Sequence, residues 1–166
     1  MRGIGLSTFS SKKVGDLLSF CRVKPVMHQV ELHPYLQQWK LKEYCEKNGI
    51  YMTAYYPLGG AAHMNDNDCV MKDPVIQEIA KNHNKTAAQV LIRWCIQRGV
   101  VCIPKSVHAN RIEENAQVFD FELTPEEMEK IKALDRHSRY SLPNILLSSN
   151  YSCEEYFDGE EMLSVC

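Results

Sequence analysis

The sequence predicts an α/β domain in which about five parallel strands alternate with helices. Three observations predict it. Short runs rich in β-branched and aromatic residues recur between longer runs with apolar residues three and four apart, in the order β-α-β-α-β-α-β-α-β-α. Strands separated by helix-length segments are joined by crossovers and lie parallel. Capping chemistry marks helix starts at Asp73-Pro74, Thr86 and Thr124-Pro125. The composition, 45% hydrophobic and 24% charged over 166 residues, supplies one real core and excludes a wholly disordered chain.

Gly3-Ile4-Gly5-Leu6-Ser7-Thr8-Phe9 opens the chain as a strand, and Ser10 or Ser11 can cap the helix behind it. That helix puts Val14, Leu17, Leu18 and Cys21 on one face, and Pro25 ends it. Val26 to His33, between Pro25 and Pro34, alternates in character and forms a second strand. A second helix runs from about Leu36 to Asn48, with Gly49 as its C′ residue. Ile50 to Leu58 is the third strand. Gly59 to Lys72 is a polar, mobile loop carrying Asn65, Asp66, Asn67 and Asp68.

Asp73 caps a third helix and Pro74 starts it; the helix breaks at Asn82-His83-Asn84-Lys85. Thr86 restarts it with Gln89 as capping-box partner, and it runs past Trp94 and Cys95 to Gly99. Val100 to Ile103 is the fourth strand, a helix opens near Asn110, and Val118-Phe119-Asp120-Phe121 is the fifth strand. Thr124, Pro125 and Glu127 take the N-cap, N1 and N3 positions of the last helix, whose Met128, Ile131 and Leu134 face the core. Periodicity fades after Arg136, so residues 1–137 form the domain and 138–166 a tail.

Several function classes are excluded. A net charge of −2 gives no electrostatic attraction to nucleic acid or an acidic membrane surface. Seven cysteines, an odd number with no CxxC pair, argue against a disulfide framework and fit a reducing compartment. No apolar run approaches the roughly 20 residues that span a bilayer, and the N-terminal residues lack a signal-peptide apolar segment; a soluble, cytoplasmic protein is expected. An eight-stranded βα barrel takes about 250 residues, more than are present. The chain is therefore either a smaller open α/β domain or a barrel without its beginning. Either way two strand edges lie bare, and self-association through them is expected.

In such an array the C-terminal strand ends carry function. Those ends hold Ser7-Thr8, then Gln29, Glu31 and His33, then Tyr55-Tyr56-Pro57-Leu58-Gly59, then Lys105-Ser106. Amides, hydroxyls, a flat ring and cations are what a nucleotide cofactor asks for. Lys105 and Arg111 beside a helix N-terminus suit a doubly charged phosphate. Each residue also has a plainer reading. Lys-Ser followed by Arg is equally an ordinary strand-to-helix connection, and Gln29 equally a partner for a neighbouring backbone. Tyr55 and Tyr56 alternate in direction, so one belongs to the core and one to the mouth. His33 reads as a structural histidine, and no matching ligands make it a zinc site.

Four stretches, in this order and spacing, resemble the C-terminal half of an aldo-keto reductase. They are Gly3 to Phe9, Pro25 to Pro34 with Gln-Val-Glu-Leu-His-Pro, Ala54-Tyr55-Tyr56-Pro57-Leu58-Gly59, and Ile103-Pro104-Lys105-Ser106 followed by Arg111 and Asn115. The resemblance covers residues 1–137 and implies a partial (β/α)8 TIM barrel, about five of eight parallel strands, that binds NADPH and reduces carbonyl compounds to alcohols. It implies that Ser7 and Gln29 hold the nicotinamide carboxamide, Tyr55 stacks on the ring and Leu58 lines the pyrophosphate path. Lys105, Ser106 and Arg111 take the 2′-phosphate, and Glu114 and Asn115 the adenine.

Three positions depart from the family pattern. Thr8 stands where Asn is usual, weakening one carboxamide contact; Tyr56 and Gly60 stand where Ser is usual. The tail also departs from the family's ending. The family's catalytic Asp, Tyr, Lys and His belong to three βα units absent from this sequence, so no catalytic residue is assigned. The chain alone is expected to be a weak or inactive enzyme, or a non-catalytic nucleotide-binding or interaction fragment.

Overall fold

The computed structural model describes residues 1–60 and 69–141. Four strands, β1 (Gly5–Ser7), β2 (Met27–Glu31), β3 (Tyr51–Tyr55) and β4 (Val101–Cys102), form one parallel sheet in the order β1-β2-β3-β4. Each crossover advances by one strand. That sequential order belongs to an arc of a barrel; a doubly wound sheet reverses at a switch point.

Local chemistry sets the helices. Helix α1 (Ser11–Phe20) is capped by Ser10, whose hydroxyl accepts from Lys13 N. Helix α2 (Trp39–Lys47) starts three residues later than expected. Pro34 and Tyr35 make instead a buried turn closed by His33 and Leu36, and Gln38 beyond it is left-handed at φ 57°. Gly49 ends α2 at φ 62°. Helix α3 (Pro74–Asn82) begins on Asp73, which accepts from Val75 N, after a single 3-10 turn at Val70–Lys72. Capping boxes open α4 (Ala87–Gln97) at Thr86 and Gln89, and α6 (Pro125–Lys132) at Thr124 and Glu127. Helix α5 (Ala109–Ala116) follows β4.

The core lies between the sheet and its helices. Val30, Met52 and Ala54 face Val14, Leu41, Cys45, Leu91 and Cys95, all buried. The alternate positions turn away from the helices. There Tyr51 is 68% exposed, and Val101 and Ile103 nearly half. The sheet's second face is thus open at Tyr51, Val101 and Ile103 among the described residues, while Glu31 and Thr53 on the same face are buried. Arg98 is pinned inside the helical layer: its guanidinium lies 4.0 Å from the Trp39 ring and 4.4 Å from Trp94, and donates to Gln37 O at 2.7 Å. Burial pulls its pKa down to about 10. Among the described residues no helix is long and apolar enough to cross a membrane, and five cysteines are free thiols.

The expected fifth strand is absent. Residues 117–123 run along α4 and do not join the sheet. Gln89 Nε2 donates to Glu114 O and Gln117 O, and Arg93 bonds Val118 O and the Glu122 carboxylate. Gln97 both accepts from Leu123 N and donates to Leu123 O. Val118 and Leu123 are buried while Phe119 is exposed. This in-out alternation imitates a strand, but helical side chains satisfy the backbone that a ladder would otherwise take. The expected loop's residues 61–68, and residues 142–166 of the expected tail, lie outside the described residues.

Gln89→Ala removes one cap and the donor to two carbonyls, so unfolding free energy should fall by about 1–3 kcal/mol. A urea midpoint equal to wild type at unchanged slope would show that residues 117–123 stay on α4 without it.

Candidate functional site: the C-terminal rim of the sheet

Because the strands are parallel, all four end at one rim. Ser7 pairs with Gln29 and Gln29 with Thr53; Glu31 pairs with Tyr55. Two of these strand ends leave the sheet through left-handed residues that are not glycine, Thr8 at φ 56° and Tyr56 at φ 54°. For a β-branched or bulky residue this is a strained conformation, of the kind that persists at functional sites. It breaks the two-sided alternation of the strand. Consecutive side chains then meet at the rim: the Ser7 and Thr8 hydroxyls are 3.4 Å apart, and the Tyr55 and Tyr56 rings 5.3 Å apart at 80°. The expected split of Tyr55 and Tyr56 between core and mouth is therefore corrected: both stand at the rim.

Thr8 N donates to Gln29 O at 2.9 Å, tying β1 to β2 beyond the last ladder pair. The Tyr55 phenol is bonded to the side chains of Thr8 and Ser141. Burial, with the Glu31 carboxylate close by, raises its pKa above the usual tyrosine value despite those bonds, so it presents a neutral ring. Ser7, Thr8, Gln29 and Tyr55 thus form one group.

The second group surrounds an open cleft of about 260 Å³ between β4, α4 and α5. Leu58, Lys105, Ser106, Arg111, Glu114 and Asn115 all line it. Met71, Thr86, Ala88 and Asn110 complete the lining; none of them is a site candidate on sequence grounds. The Thr86 hydroxyl, read as purely structural, also donates to Glu114 Oε1 at 2.7 Å and fixes one wall. The Ser106 hydroxyl accepts from His108 N at 3.2 Å and shapes the turn into α5, whose first turn holds no acidic residue. Two exposed cations, a helix N-terminus and a hydroxyl converge with polar groups of α5: a donor set for an oxyanion. A neighbouring hollow of about 180 Å³ shares Leu58 and Lys105 with this cleft and is lined also by Tyr56, linking it to the Tyr55 group.

Sequence reasoning missed how the rim is fastened. Glu31 is fully buried; its carboxylate accepts from His33 Nε2 at 3.0 Å, Tyr140 N at 2.6 Å and Ser141 N at 2.9 Å. The Tyr140 ring lies 4.7 Å from His33, and its hydroxyl accepts from Val70 N. A Cβ on Gly59, at φ 88°, would meet Val70 Cγ1 at 2.8 Å and Tyr140 Cε2 at 3.3 Å. Residues 136–141 are therefore strapped onto the strand ends. The only sequence signal was a glutamate on an otherwise buried strand. His33, buried against Glu31 and Tyr140, has the surroundings of a structural histidine.

Residues 1–136 match the model of the Aldo/keto reductase family. The chain is 45% identical over 148 residues to aldo-keto reductase family 1 member A1 of Cricetulus griseus, covering 87% of this chain and 46% of that protein. It is 41% identical over 146 residues to the protein of that name in Homo sapiens, covering 86% and 45%. The crystal structure of an aldo-keto reductase of the silkworm, Bombyx mori, superposes with a TM-score of 0.79 at 33% identity, over 86% of this chain and 44% of that one. An aldo-keto reductase enzyme from a Medee basin deep-sea metagenome superposes at 0.75 and 37% identity, over 81% and 48%. The chain spans about half the length of the relatives it matches, and its arc is part of a TIM barrel. About five of eight strands were expected; four are present among the described residues.

Burial holds the His33 imidazole below its ordinary 6.5, against the hydrogen bond and charge of Glu31, which raise it. With the folded value depressed, the unfolded chain takes up the proton first as pH falls. Stability should therefore drop below pH 6.5, by at most about 1.4 kcal/mol per pH unit from this group. Urea unfolding from pH 7 to 5 should show a shallower decline for His33→Asn; parallel curves would remove His33 from the account.

Proposed function

The chain belongs to the aldo/keto reductase family, and from its rim we propose that it binds NADPH in the manner of a carbonyl reductase. The single observation that carries this reading is the cleft in which Lys105, Ser106, Arg111, Glu114 and Asn115 converge with Leu58. The donor set fits the group. Lys105 and Arg111 would take the 2′-phosphate dianion through charge-assisted bonds, Ser106 would add a hydroxyl, and Glu114 with Asn115 would meet the adenine. The flat ring of Tyr55 would receive the nicotinamide, with Ser7 and Gln29 on its carboxamide. Thr8, already engaged with Tyr55, takes the place of the usual Asn and weakens that end. Bound there, NADPH would supply the reducing equivalents for an aldehyde or ketone.

No residue at this rim is assigned as the proton donor. Tyr55 is committed to stacking and its phenol is held neutral; His33 is buried against Glu31. General acid help is worth about 10²- to 10⁴-fold, so this chain alone is proposed to be a weak or inactive reductase that holds its nucleotide. The exposed Tyr51, Val101 and Ile103 support a second reading, in which the uncovered sheet face and its bare edges drive self-association. The free thiols support a cytoplasmic location.

Lys105→Ala and Arg111→Ala should each weaken NADPH binding about 10- to 100-fold, the worth of one charge-assisted bond, and NADH binding far less. Equal losses for both nucleotides, read from cofactor fluorescence, would remove the 2′-phosphate assignment. The purified chain should show no measurable turnover of nitrobenzaldehyde with NADPH; clear turnover would mean that a proton donor has been overlooked.

A further inference from the structure

The turn leaving β3 carries a ring where the two groups of the site meet. Tyr56 follows Tyr55 directly, and its left-handed backbone brings its ring edge-on to Tyr55 at 5.3 Å. Gly59 N donates to Tyr56 O at 2.9 Å, closing a tight turn. Gly60 then passes close against the Tyr56 ring. A Cβ on Gly60 would lie 3.2 Å from Tyr56 Cδ2, 3.4 Å from Cε2 and 3.5 Å from Cγ, and Gly60 itself has φ 73°. The ring, 42% exposed, therefore lies between Tyr55, which meets it edge-on, and a glycine that leaves it room.

A tyrosine in a turn could be mere surface. Three features argue otherwise: the strained φ, the seat without a side chain, and the place of Tyr56 in the hollow shared with Leu58 and Lys105.

We propose that Tyr56 is a positioning residue: clamped against Gly60, it fixes the orientation of the Tyr55 ring and so the surface that receives the flat end of the nucleotide. This rests on the nucleotide reading above and goes beyond it by naming what orients the stacking ring. Aromatic pairs prefer edge-to-face geometry, so displacing one ring re-aims the other. The phosphate cleft takes only Leu58 from this turn, its charged groups coming from the β4–α5 connection and α5, and should feel the change far less.

The test compares wild type with Gly60→Ala, Tyr56→Leu, Tyr56→Ser and the double variant Tyr56→Ser with Gly60→Ala. Each is titrated with NADPH and with 2′,5′-ADP, which has the phosphate end and no nicotinamide. Chains labelled with 3-fluorotyrosine, with Tyr55→Phe as assignment control, report the Tyr55 ring by 19F NMR without ligand. Gly60→Ala and Tyr56→Leu should move the Tyr55 resonance and weaken NADPH about tenfold, while 2′,5′-ADP stays within about twofold. In the Tyr56→Ser background, Gly60→Ala should add less than about twofold, the non-additivity expected of a contacting pair. An unmoved Tyr55 resonance, or equal losses for both ligands, overturns the proposal. Should Gly60→Ala not fold, Tyr56→Leu decides alone. Failure of the nucleotide reading looks different: wild type itself then binds neither ligand, and both proposals fall.

Discussion

A parallel sheet needs cover on both faces, and here the described residues cover one and only part of the other. That constraint organises the molecule. The helices bury Val30, Met52 and Ala54, while Tyr51 and Val101, one position along the pleat, face outward. It also assembles the site. Parallel strands deliver every C-terminal end to one rim, so Ser7, Gln29, Tyr55 and Lys105, far apart in sequence, stand along it in strand order. A full barrel would turn the bare face into a packed interior.

Much of this was legible in the residues. Capping boxes at Thr86 and Thr124, the Asp73-Pro74 start and the Gly49 stop are local chemistry, and local chemistry survives folding. The cleft was legible because Lys105, Ser106, Arg111, Glu114 and Asn115 lie within one strand-turn-helix unit. What escaped is what depends on distant partners. Val118 to Phe121 alternates like a strand, yet the carbonyls of Gln117, Val118 and Leu123 go to side chains of α4, which periodicity cannot reveal. Leu36 reads as the start of a helix until its backbone is taken up in a turn with His33. The strap on Glu31 joins residues far apart in sequence, beyond any local signal.

The rim also shows how a strand can present two adjacent side chains to one place. A regular strand sends neighbours to opposite faces. Left-handed turns at Thr8 and Tyr56 cancel that rule where it would separate the hydroxyls or the rings. The strain is met by surroundings that leave no alternative: Gln29 O holds Thr8 N, and Gly60 seats Tyr56.

The Arg98 junction carries a practical consequence. The chain has two tryptophans, Trp39 and Trp94, and both rings lie against that one guanidinium. Tryptophan emission, excited to the red of the eight tyrosines, is therefore a single reporter lodged where α2 meets α4. It will register loosening of the helical layer as one event, and events at the strand-end rim must be followed with another chromophore.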